Sequence, residues 1–112
     1  MPEEKQSTIV AGDEILTLIN TFVCAEVRQN ELVAALSRAT AEIFEHLDGF
    51  ISANLHASLD RTWVVNYAQW RSADDLDRAQ TDPKVQEHLA EIMAIAESAD
   101  PRLFHVPAVF HA

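Results

Sequence analysis

Trp63-Val64-Val65-Asn66-Tyr67-Ala68-Gln69-Trp70 is the stretch on which the fold turns. Side chains alternate across a strand, so Thr62, Val64, Asn66, Ala68 and Trp70 point one way, and Trp63, Val65, Tyr67 and Gln69 the other. An Asn on an otherwise apolar strand face is costly unless something hydrogen-bonds it. Trp70, two strand steps further on, is a large apolar body with one N–H donor. Together they read as the lining of a pocket for a flat aromatic molecule with a polar edge. Taken singly, each also has a plainer explanation, Asn66 as a hydrogen-bonded sheet residue and Trp70 as core.

The neighbouring segments extend this strand into a domain. Phe50 to Leu59 reads as a strand, and Asp60-Arg61 connects it to the strand at Thr62 to Trp70, giving a hairpin. Glu14 to Cys24 is rich in Ile, Leu, Thr, Phe and Val and reads as a first strand, with Leu16, Leu18, Asn20, Phe22 and Cys24 on one face. Asn30 is placed to cap a helix starting at Glu31, whose stripe runs through Leu32, Leu36, Ala39, Ile43 and Leu47 until Asp48-Gly49 ends it. Ser72 or Asp74 caps a short acidic helix through Ala79. Asp82-Pro83 starts another, with Val85, Leu89, Ile92 and Ala96 as its buried stripe. Asp100-Pro101 reads as its stop, and Leu103 to Phe110 as a last strand in which Pro107 marks an edge or a bulge.

This order predicts a ferredoxin-like α+β domain, an antiparallel sheet of four strands with helices on one face. Residues 1–12 read as a flexible arm and 13–112 as a single domain. Several strands are apolar on both faces, and helices cover only one. A homodimer with sheet facing sheet, a dimeric α+β barrel, is the expected cover for the other.

Composition narrows the function. Among 112 residues 48% are hydrophobic and 23% charged, with a formal net charge of −10, which disfavours nucleic acid and anionic membranes as partners. The N-terminus carries no secretory pattern, and a cytoplasmic location is expected. Cys24 lies in an apolar strand and reads as a small buried hydrophobe. With glycine only at positions 12 and 49, there is no loop to cradle a nucleotide. The five histidines form no convincing metal-binding set, and neither metal nor cofactor is expected.

The runs His56-Ala57-Ser58-Leu59-Asp60 and Val64-Val65-Asn66-Tyr67-Ala68-Gln69-Trp70-Arg71-Ser72, together with Gly49-Phe50 and Asp82-Pro83, resemble the antibiotic biosynthesis monooxygenase superfamily over about residues 14–111. The resemblance implies a dimeric α+β barrel. In its best-understood branch it implies a cofactor-independent monooxygenase that oxidises anthrone-type polyketide intermediates, or related phenolic substrates, to quinones with O2. It assigns the catalytic roles to Asn20, Asn66 and Trp70. Some related oxygenases carry a Tyr and an Arg on the following helices, where this chain has Leu76 and Leu89. Phe22, His56, Leu76, His88 and Leu89 are the expected substrate-binding residues. His56, Gln69, Arg71 and His88 are the candidate replacements for the missing polar groups, and His56 or His88 the better acid–base groups near neutral pH. Two other readings stay open: a haem-binding or haem-degrading member of the superfamily, with His88 as the candidate ligand, and a dimeric small-ligand-binding protein without activity.

Overall fold

The structure is a computed structural model that describes residues 5–12 and 14–112. Residues 1–4 and 13, which belong to the expected arm and to the start of the domain, lie outside the described residues. The chain runs β1 (Leu16–Val23), α1 (Gln29–Glu42), β2 (Phe50–Ala57), β3 (Trp63–Trp70), α2 (Ala73–Gln80), α3 (Pro83–Ile95) and β4 (Ser98–Phe104). The strands form one antiparallel sheet in the order β2-β3-β1-β4. This is the ferredoxin-like α+β arrangement predicted from the order of elements.

The alternation in β3 sets the layers. Val64, Ala68 and Trp70 are buried on the inner face, which packs on the helices. Phe22 and Cys24 join them from β1, and Leu32, Leu36, Ile92 and Ile95 from α1 and α3. A second cluster gathers Trp70, Leu76 and Ala79 at the end of the sheet where α2 begins. Burial pushes the Cys24 thiol pKa up, as befits a core residue.

Helix ends follow the sequence signals in two cases out of three. The Ser72 hydroxyl accepts from the Asp75 N–H at 3.2 Å, and the Asp82 carboxylate accepts from the Lys84 N–H at 2.8 Å with Pro83 in the first turn. Asn30, by contrast, is no cap. A 3-10 turn at Glu26–Arg28 leads into α1, and Arg28 holds the capping position without a side-chain bond. The backbone opens again at Ile43, so the stripe expected to reach Leu47 continues only as a 3-10 turn over Phe44–His46. Gly49 follows with φ +86°, the left-handed position expected of it.

The last strand is a correction. Asp100-Pro101 does not stop α3, which ends at Ile95. It lies inside β4, which ends at Phe104 rather than running from Leu103 to Phe110. β4 is an edge strand, where a missing N–H on the free side leaves no ladder bond unmade. Residues 105–112 have no regular structure.

A bulge in β2 has consequences for the site. Phe50 pairs with Trp70 and Ser52 with Gln69, so Ile51 is an extra residue in the ladder. Phe50 therefore faces the helices, while Ser52, Asn54 and His56 face the opposite side. On that outer face the segment before β1 is hydrogen-bonded to the sheet. Ser7 donates to the Asn54 side chain at 2.7 Å, and the Gln69 amide donates to the Thr8 carbonyl at 2.9 Å. No helix among the described residues is long and apolar enough to cross a membrane.

Candidate active site

A cavity of about 270 Å³ lies between the inner sheet face and the three helices. Its floor is the inner face of β1 and β3, where strand alternation places Leu18, Asn20 and Phe22 beside Asn66, Ala68 and Trp70. Asn20 and Asn66 are direct partners across the β1–β3 ladder, so their Cβ atoms stand about 5 Å apart. Both amide oxygens are buried and accept no hydrogen bond from any described group, not even from the neighbouring amide. A buried acceptor left unsatisfied costs about 1–3 kcal/mol, an expense that packing of the sheet on the helices does not explain.

Trp70 is 2% exposed and held edge-on by two rings, Phe50 at 5.4 Å and Phe44 at 6.2 Å between centroids. Core packing and cavity lining are thus one role for this side chain. Phe22 and Leu76 are buried in the wall, and the partly exposed Leu89, Met93 and Pro101 mark where the cavity opens. Thr40 and Gln80 are the other polar residues lining it, and the Thr40 hydroxyl is occupied by the Leu36 carbonyl at 2.8 Å. No Asp, Glu, Lys, Arg, His, Cys or Tyr among the described residues lines the cavity.

A buried charge at the start of α2 is structural. The Asp75 carboxylate, in the first turn of α2, is buried and accepts from the guanidinium groups of Arg71 and Arg78, each at 2.8 Å, and from the Ser72 hydroxyl. Hydrogen bonds from Arg71, then Ser72, hold its pKa at about 2, against burial, which pushes the other way. Arg71 is raised by the same bonds and also reaches Asp48. This cluster fixes the start of α2, and through it Leu76, Ala79 and Gln80, against the end of β3.

With that geometry in view, the family model for antibiotic biosynthesis monooxygenases matches residues 15–91. The chain belongs to the antibiotic biosynthesis monooxygenase family. Its relative tetracenomycin-F1 monooxygenase of Streptomyces glaucescens is 42% identical over 82 residues, 73% of each chain. A monooxygenase from the gene ActVA-Orf6 of Streptomyces coelicolor, solved in complex with nanaomycin D, superposes with a TM-score of 0.79 at 25% identity, over 87% of this chain and 91% of that one. SnoaB, a cofactor-independent oxygenase of Streptomyces nogalater, shares the fold with a TM-score of 0.72 at 24% identity, over 87% and 97%. The chain is thus a monooxygenase of this family.

Of the residues expected to build the monooxygenase site, the structure brings Asn20, Asn66, Trp70, Phe22, Leu76 and Leu89 together around the cavity. His56 and His88 are corrections. The bulge at Ile51 turns His56 to the exposed outer face, opposite Val65. His88, partly buried on α3 with Nδ1 3.5 Å from Glu91, is not among the residues that line the cavity. Gln69 and Arg71, the other candidate replacements, face the N-terminal segment and Asp75. Thr40, Gln80 and Met93 were missed, although each stands four residues after another lining residue, Leu36, Leu76 and Leu89, a spacing that puts both on one helix face.

Proposed function

We propose that this monooxygenase acts without a cofactor on a polycyclic aromatic of the anthrone type, in polyketide or secondary metabolism, and converts it to a quinone with O2. The observation that carries the reading is the cross-strand pair of side-chain amides, Asn20 and Asn66, on the floor of a largely apolar cavity beside Trp70. The kinship with tetracenomycin-F1 monooxygenase supports it.

In this scheme the substrate supplies the electrons. An anthrone that has lost its benzylic proton is an electron-rich anion that passes one electron to O2. The radical pair then recombines to a peroxide. Loss of water leaves the second carbonyl, so one oxygen atom enters the product and the other leaves as water. The protein binds the ring plane among Trp70, Phe22 and Leu76, keeps bulk water out, and offers the side-chain amides of Asn20 and Asn66 to the oxygen on which charge develops. Leu76 and Leu89 make the wall apolar and suit fused rings.

We further propose that the enzyme works as a homodimer through the outer sheet face. Ile19, Val65 and Tyr67 are only half buried there, and Trp63 and Phe104 are 51% and 43% exposed. A single layer of helices leaves such a surface uncovered.

Oxygen uptake by metal-free protein with dithranol tests the activity. Uptake above the spontaneous rate is expected, falling about 100-fold in Asn66→Ala if its amide stabilises the transition state as an oxyanion donor does. Trp70→Phe, which keeps most of the buried ring, is the matching variant for Trp70. Uptake no faster than buffer removes anthrones as the substrate class.

A further inference from the structure

We propose that the ligand enters and lies end-on in the gap between α3 and β4, and that Met93 is the specificity-determining residue for the substituent at its outer end, an end free to carry charge. The proposal rests on reading this cavity as the substrate site and names which end of the ligand the rim reads.

The lining of the cavity divides by exposure. Phe22, Leu36, Trp70, Leu76, Val85 and Ile92 are each at most 5% exposed and make the closed wall. The exposed members are Gln80 at the end of α2, Leu89 and Met93 on α3, and Ala99 and Pro101 on β4, and these form the rim. Leu89 and Met93 stand one turn apart on one face of α3, at 38% and 43% exposure. Ala99 and Pro101 stand on the inner face of β4, paired with Phe22 and Asn20 of β1. Every residue of β4 is exposed, so no helix covers this strand and the gap beside α3 stays open.

Neither wall nor rim carries an ionisable side chain among the described residues. An ion drawn into such a cavity would lose its water and gain no counter-charge. A fused-ring ligand with one charged end therefore has a single orientation open to it, rings inward and charge outward at the rim. There the half-exposed Met93 meets it with an unbranched, adaptable thioether that packs on substituents of different shape and offers no charge of its own. The native rim thus holds the outer ring without reading its charge, and a charge introduced at this position would make it do so.

Calorimetric titration of the intact protein with anthraquinone-2-sulfonate and with 2-(hydroxymethyl)anthraquinone tests this without turnover. The rings and the point of attachment are the same, and the two substituents differ chiefly in charge. The native protein is expected to bind both. Met93→Lys is expected to tighten the sulfonate about threefold and Met93→Glu to weaken it about threefold, as a half-exposed charge pair does, with the neutral probe following neither change. Both shifts are expected to shrink at high salt. Leu59→Lys adds the same charge on the exposed turn between β2 and β3, outside the cavity lining, and is expected to leave both affinities unchanged. Sulfonate affinity that ignores the sign of the charge at position 93, or follows it no more than in Leu59→Lys, overturns the proposal. So does binding of the neutral probe alone, or of neither probe, by the native protein, a result that needs no variant. The outcomes separate from those of the activity assay. Opposite shifts in the two variants with no uptake on dithranol keep the proposal and remove anthrones as substrates. Uptake without those shifts keeps the activity and removes the role of Met93.

Discussion

Asn20 and Asn66 meet because two strands place them opposite each other, and neither has a local reason to be an amide. Along β1 and β3 their inner-face neighbours are Leu18, Phe22, Val64 and Ala68, all apolar. Gly49 shows the opposite case, a residue fixed by local geometry. Its φ of +86° is strained for any residue with a side chain, and a Cβ there would overlap the Asp75 carboxylate group. Gly49→Ala is therefore expected to destabilise the protein by more than about 1 kcal/mol, as read by urea denaturation. An unchanged midpoint would mean that the turn and Asp75 both relax freely. Asn66 was legible at this scale because alternation alone puts it on the face of Trp70. Asn20 was legible as a residue on an apolar face, but its position opposite Asn66 depended on the pairing of two strands far apart in sequence.

At the scale of elements, α2 depends on one buried charge. Asp75 has an ordinary pKa of 3.8 and about 2 in the fold, held down chiefly by Arg71. A depressed carboxylate stabilises the fold at pH above its unfolded value, and that contribution is lost as pH falls through the folded value. Thermal melting followed from neutral pH downward is expected to show a loss between about pH 4 and pH 2. Asp75→Asn is expected to melt lower at neutral pH and to lack that part of the acid loss. Parallel curves for the two proteins would assign the acid loss elsewhere. The start of α3 was plain from Asp82-Pro83, since a cap and a first-turn proline act within a few residues. β4 was misplaced because the same logic made Asp100-Pro101 a stop. An edge strand tolerates a proline, and whether a strand is an edge is a property of the sheet. His56 lies off the cavity for a reason that also belongs to the sheet: the extra residue Ile51 reverses the parity that plain alternation from Phe50 would give.

The whole molecule carries a net charge of −10, yet its cavity is lined by no ionisable side chain among the described residues. Charge lies on the exterior and in the Asp75 cluster, where it serves solubility and α2. The outer sheet face is where a second copy is proposed, and Val65→Lys would set like charges against each other across the symmetry axis. Light scattering is expected to show a dimer for the native chain and a shift toward monomer for this variant. A monomer in both cases would remove the second copy as the cover of that face. The neutrality of the cavity bears also on how the enzyme would respond to its surroundings. A site with no acid or base of its own leaves the ionisation of its occupant as the event that acidity controls. Between two substrates of unequal acidity, the midpoint of the pH–rate curve is then expected to move by the difference between their own pKa values, so that the curve reports the substrate and not the protein.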